Sequence, residues 1–141
     1  MLRAPRVRAL ARSECLAALR STCLGRVALS VGALPAIVPV AFSLAGDRLV
    51  FGALGGRPLP LVGRRPVIVA FQADAYDEAQ RCGWSVVVVG PAGPGREPSG
   101  SPAERECRGG PLVRACVLDR AIDLDPALVS GHRYEASGGC P

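Results

Sequence analysis

Residues with chemistry to offer are concentrated in a few places along this chain. A Gly/Pro-rich stretch near its middle carries Arg57, Arg64 and Arg65, whose guanidinium forks can clamp a phosphate or stand as plain surface charge. A polar connector from Gln72 to Gly83 carries Asp74, Asp77, Glu78 and Arg81 and leads into Trp84 and Ser85. The sole tryptophan, Trp84, stands where a loop is expected to enter a strand. That is a common place for a ligand-facing side chain on a rigid support, and equally one where a large ring caps the core. Ser85 offers a hydroxyl to a phosphate or is an ordinary strand residue. Asp74, Asp77 and Glu78 read most simply as a solvated loop, with Asp74 able to start a turn. His132 is the single histidine; it can serve in acid–base chemistry or sit idle in a surface turn.

Cys15, Cys23, Cys82, Cys107, Cys116 and Cys140 form no CxxC pair. With one histidine beside them, a zinc site of ordinary spacing is not expected. Reduced thiols acting as small core hydrophobes fit better, Cys15 and Cys116 especially, and with them a cytoplasmic setting. The N-terminus has arginines but lacks the apolar core and small-residue cleavage site of a secretory signal.

The elements that must position these groups read mostly as strands. Two β-branched runs, Val67–Phe71 and Ser85–Val89, flank the polar connector and suit a buried sheet better than a helix. Upstream, Gly25–Val31 alternates, placing Val27, Leu29 and Val31 on one face. Gly32-Ala33-Leu34-Pro35 is the turn, and Ala36–Leu44 puts Val38, Val40, Phe42 and Leu44 together. Pro39 cannot donate to a ladder, so it marks an edge, a bulge or a spot left open for binding. Gly46-Asp47 turns into a third strand, Arg48–Phe51, completing a meander. Ser13 can cap a short helix to about Ser21, with Glu14 in its first turn and Cys15, Leu16 and Leu19 as its apolar face. A later strand is expected over Leu112–Leu118 and Ala121–Leu124, and Asp125–Tyr134 reads as a turn leading into a C-terminal segment.

Length and composition bound the rest. The chain has 141 residues, 49% apolar and 21% charged, with a net charge of +5, a globular profile of one domain. All 17 basic residues are arginines; four of them precede the first acid, leaving the remainder nearly neutral. Residues 1–12 therefore read as a basic flexible arm, 13–134 as the barrel domain with a mobile loop over 90–110, and 135–141 as a tail. Val27–Gly46 is uncharged and long enough for a membrane, but its prolines, glycines and period-two pattern favour strands. A nucleic-acid partner is not expected either, since stacking aromatics are scarce. The sum is a mainly β protein, a six-stranded antiparallel split β-barrel with short flanking helices.

Three segments, CLGRVALSVGALPAIVPVAFSLAGDRLVF, VAFQADAYDEAQRCGWSVVVVG and LVSGHRY, together resemble the pyridoxamine 5′-phosphate oxidase-like family of flavin-binding split barrels. The Gly83–Val86 element and the Ala36–Phe42 strand are its most specific pieces. The resemblance implies a homodimer that holds FMN, or a related flavin or deazaflavin, in a groove between subunits and acts as an oxidoreductase on a small-molecule substrate. It places Val38, Pro39 and Val40 beside the flavin ring and Trp84 and Ser85 near the cofactor. Family members also carry an Arg-Thr pair after the third strand, then a Lys, to grip the phosphate. Here Gly52-Ala53 and Pro58 occupy those positions, so Arg57, Arg64 or Arg65 would have to substitute. Ala41 stands where Asn is usual and Gln72 where Glu is usual. Losing two charged phosphate contacts costs about a hundredfold in affinity or more. A non-catalytic barrel dimer without its flavin grip is the rival reading.

Overall fold

The computed structural model describes residues 4–54, 59, 65–94 and 122–136. The elements run in the order β1 (Arg6–Ala9), α1 (Arg12–Arg20), β2 (Leu24–Val31), β3 (Leu34–Ala45), β4 (Arg48–Ala53), β5 (Val67–Asp77), β6 (Cys82–Pro94), β7 (Ile122–Leu124) and β8 (Leu128–Glu135). All pairings are antiparallel, and the sheet order is β1-β8-β6-β5-β2-β3-β4-β7. A further β6–β7 pairing closes β2, β3, β4, β7, β6 and β5 into a six-stranded barrel, with β8 and β1 added as a wing on β6.

Alternation decides which side chains fill the barrel. Val27, Val40, Phe42, Leu49, Phe51, Val69, Phe71, Val86, Val88 and Leu124 point inward and are buried. Phe42 and Phe71 meet edge-to-face, with ring centroids 4.8 Å apart, the arrangement the ring quadrupole favours. Helix α1 presents Cys15, Leu16 and Leu19 to the same core. It packs so closely on β8 that a Cβ on Gly131 would stand 2.7 Å from Cys15 Sγ. The β2–β3 turn is Gly32-Ala33, both at positive φ, the requirement of a type I′ hairpin. Pro39 sits opposite Arg26 on β2, just beyond the first β4 pair, Val40 with Ala53. Leu54 N–H still donates to Pro39 O at 3.2 Å; before that point no described strand flanks this side of β3, a place where a missing N–H costs least.

Several expectations are corrected. The basic arm is not free, because Arg6–Ala9 pairs with β8, and Leu10 N–H donates to Gly131 O at 2.8 Å. The helix begins earlier than Ser13, with Ala11 as its extended N-cap. Glu14 reaches back to accept the Ala11 N–H at 3.1 Å and takes Arg8 Nη2 at 3.0 Å. The connector Gln72–Gly83 is mostly strand: β5 and β6 pair from Val67–Ala92 to Asp77–Cys82, leaving only residues 78–81 to turn, with Gln80 N–H on Asp77 Oδ1. The turn expected over Asp125–Tyr134 is mostly β8, whose alternation Gly131 obscures. Residues 90–94 of the expected mobile loop belong to β6; the rest of it, and the strand expected over Leu112–Leu118, lie outside the described residues. The described residues include one helix, and none long and apolar enough to cross a membrane.

Candidate functional site

Paired residues on neighbouring strands share a face, so register converts the sequence into lateral rows. On the outer face of β5, β6 and β8, Tyr76, Gly83 and Tyr134 form one row, ending at Val7 of β1. The next holds Asp74, Ser85 and His132. The third runs through five strands as Pro39, Arg26, Gln72, Val87 and Ser130. At the first two rows lies a depression of about 680 Å³, lined by Gln72, Asp74, Tyr76, Arg81, Trp84, Ser85 and Tyr134 among others. That volume is in the usual range for a small-molecule site.

Hydrogen bonds fix the side chains around it. The Ser85 and Tyr134 hydroxyls lie 3.1 Å apart. Arg26 Nη1 donates to Gln72 Oε1 and lies 3.5 Å from Asp74 Oδ1, while Gln72 Nε2 donates to Asp74 Oδ2 at 3.2 Å. Arg26 is thus tethered through a single nitrogen on a face that solvent reaches. Trp84 has the opposite parity and packs against the core, half-buried, while also lining the depression. Charge perturbation is found elsewhere, at the start of α1. There the Arg8 hydrogen bond, followed by the Ala11 N–H, holds the Glu14 carboxyl below its ordinary range.

The site residues expected from sequence separate into groups. Trp84 and Ser85 meet at the depression. Val38, Pro39 and Val40 lie on β3, three strands from β6, roughly 14 Å across the sheet. Of these, Val40 turns its side chain fully into the core and Val38 is half-buried against it. Pro39 alone presents its ring outward. Arg57 and Arg64 lie outside the described residues; Arg65 is exposed. Gly52 is buried opposite Ala41, and Ala53 faces Val40, so neither offers the donor side chain that the resemblance leads one to expect after the third strand. His132 is exposed on a strand, laterally beside Ser85, rather than in a turn. Tyr76 and Tyr134 are not singled out by the sequence, and Arg81 reads there only as one charge of the polar connector. The one signal for Tyr76 is the period-two run Ala70, Gln72, Asp74, Tyr76, which continues the outer face of β5. Among the described residues no three His, Cys, Asp or Glu side chains could hold a metal ion.

The geometry can now be set beside known proteins. The fold is similar to a FAD-binding protein of Mycobacterium smegmatis, with TM-score 0.67 and 25% identity over 91% of this chain and 98% of that one. It also matches a FAD-binding protein of Mesorhizobium loti, with TM-score 0.70 and 21% identity over 93% and 98% of the two chains. An uncharacterized protein of Mycobacterium tuberculosis is 32% identical over 137 residues, 92% of this chain and 87% of the relative. The sequence profile of pyridoxamine 5′-phosphate oxidase matches residues 11–110. With the six-stranded barrel closed by β6–β7, this places the chain in the pyridoxamine 5′-phosphate oxidase family.

Proposed function

We propose that the protein is a homodimeric flavin-dependent oxidoreductase acting on a small molecule. The observation that carries this reading is the depression around Trp84 and Ser85, on the barrel of a family whose fold neighbours include FAD-binding proteins. The residues fit a flavin in part. Aromatic and apolar surface suits a flat ring, and the Ser85–Tyr134 hydroxyl pair with the Gln72 amide suits its polar edge or ribityl chain. When bound, a flavin supplies hydride-transfer chemistry. The chain's own residues bind it, orient it and limit water around it. Trp84 offers a rigid wall, Ser85 and Tyr134 offer hydroxyls, and Arg81 offers positive charge at the rim. The family resemblance points to FMN, whereas the neighbours named above bind FAD; the two cofactors differ by an adenylate group.

Dimerisation is supported by the outer face itself. Ile37, Ala28, Ala70, Val89 and Leu128 form an unbroken apolar row across five strands, and Ile37 and Leu128 are 73% and 68% exposed. With Ile68 and Pro91 paired alongside, the band contains no charge. A second copy is the occupant that such an apolar face fits, since a two-fold axis sets the same patch against itself.

A second reading is favoured by the missing donors at Gly52 and Ala53: a barrel dimer without a flavin. Titration of the full chain with FMN and with FAD, followed by Trp84 emission, separates the two. Saturable quenching supports the oxidoreductase. An unchanged emission together with an unchanged melting temperature rejects it, because a ligand held only by the folded state must raise stability.

A further inference from the structure

At the outward positions of β2, β5, β6 and β8, the described residues carry two formal charges, Arg26 and Asp74. They stand 3.5 Å apart, and each side chain is about half exposed. An ion pair of that kind contributes little to folding, and the apolar row beside it shows that this face needs no charge to form. The arginine is also only partly engaged. Arg8 grips Glu14 with two nitrogens, at 3.3 and 3.0 Å, whereas Arg26 commits Nη1 alone, to Gln72 Oε1 and Asp74 Oδ1. Among the described residues nothing accepts from its Nε or Nη2.

Those two nitrogens form the side edge of the guanidinium, the fork that matches the two oxygens of a carboxylate. Its direction is set by the partners of Nη1. Gln72 is held in turn, because its Nε2 donates to Asp74 Oδ2 at 3.2 Å. Gly25 lets β2 close on β5 at this level, since a Cβ there would stand 2.8 Å from Gln72 O. An arginine oriented before its ligand arrives loses less freedom on binding. Two residues further along β2 and β5, Ala28 and Ala70 begin the uncharged band. Beside such apolar surface a charge-assisted hydrogen bond is stronger than in open water.

Position decides what the fork receives. Gln72 and Asp74 line the depression, so the guanidinium bonded to both stands at its β2 margin. Arg81 stands at the β5–β6 turn, and the stretch of β5 leading there, from Gln72 to Asp77, spans roughly 17 Å. A flavin whose phosphate lies beside Arg81 satisfies one of these two cations and leaves the other. Asp74 already offsets one charge at Arg26, so the fork suits a monoanion better than a phosphate dianion. We propose that Arg26, oriented by Gln72 and Asp74, anchors a carboxylate of the small-molecule substrate, which makes the substrate a carboxylic acid. The assignment rests on the flavin reading for the chemistry done on that acid.

The test uses the full chain, with benzoate as the carboxylate probe, benzamide as its neutral isostere and FMN as the cofactor probe, all read by calorimetry. Benzoate is expected to bind at least about tenfold tighter than benzamide, the usual return of a charge-assisted hydrogen-bond pair. Arg26→Gln should weaken benzoate about tenfold to a hundredfold and leave benzamide and FMN within about twofold. Arg26→Lys, which keeps the charge and loses the fork, should fall between Arg26→Gln and the parent. Benzoate that does not bind, or binds no better than benzamide, overturns the anchor, and FMN binding in the same protein leaves the flavin reading standing. FMN weakened tenfold by Arg26→Gln, with benzoate unaffected, also overturns it, by giving Arg26 to the cofactor. Benzoate bound in an Arg26-dependent manner, with FMN not bound, keeps the anchor and overturns the flavin reading. If Arg26→Gln does not fold, the comparison of benzoate with benzamide on the unaltered chain decides alone.

Discussion

Gly90 should be the least replaceable glycine at the seam where the barrel closes. It follows Val89, the last β6 residue paired with β8, and precedes Ala92, the first paired with β7. A Cβ at Gly90 would stand 1.8 Å from Asp125 O and 3.2 Å from Ala127 N. These are backbone atoms, and they are tied: Asp125 N–H donates to Pro91 O at 3.0 Å, and Ala127 N–H to Asp125 O at 2.9 Å. Gly90→Ala must push that carbonyl back by more than 1 Å to reach the 3.0 Å that real Cβ contacts respect. Two backbone hydrogen bonds at about 1 kcal/mol each, plus about 1–3 kcal/mol of overpacking, are opposed by less than about 1 kcal/mol of unfolded-state entropy. The net is a loss of about 2–4 kcal/mol, which for a domain of this size lowers the melting temperature by roughly 8–15 °C. Gly93 on the same strand is the control, because among the described residues its Cβ would meet nothing closer than Pro66 Cα at 4.0 Å. Gly93→Ala should be neutral or stabilise by up to about 1 kcal/mol. Urea and thermal unfolding followed by far-UV circular dichroism give both numbers. Equal stability of the two variants would refute the seam as described.

Three further outcomes are expected. Glu14 is held below its ordinary carboxyl value of 4.5 in the folded chain, by Arg8 first and the Ala11 N–H second. Its stabilisation is therefore complete above about pH 4.5 and fades as pH falls through the lower folded value. The stability gap between Glu14→Gln and the parent should be present at pH 7 and shrink as pH falls below about 4.5; a gap independent of pH contradicts this. Burial pushes the Cys15 thiol up and leaves it no exposed surface. Mass spectrometry after thiol labelling should find Cys15 unmodified in the native protein and modified only after unfolding. Ile37→Asp with Leu128→Asp should convert a dimer to a monomer by light scattering while the β-sheet signal is kept; an unchanged mass excludes the apolar row as the interface.

The barrel was largely legible because most of its strands bury one face and alternate in consequence. Val27/Leu29 and Val69/Phe71 announce their inward side directly. Pro39, which cannot donate, signals an edge, a bulge or an open spot without deciding among them. The wing was less legible. β1 is exposed along its length, so no pattern distinguishes it from an arm, and β8 carries Gly131 at its one buried position because Cys15 occupies the space. The ends of β5 and β6 project past the core, where nothing enforces apolar alternation and a strand reads as a polar connector. The same physics hid half of the site. Trp84 and Ser85 stand out by type, but Tyr76 and Tyr134 become neighbours only through the β5–β6 and β6–β8 registers. Those long-range pairings have no local signature.

The most direct measurement is the visible absorption of the freshly purified, desalted protein, recorded with its mass in solution. A yellow dimer with flavin bands, or a colourless dimer that becomes yellow and stays so after incubation with FAD or FMN, is the predicted result. A protein that emerges from the column colourless after exposure to both, with Trp84 emission unmoved, would contradict the account at its centre.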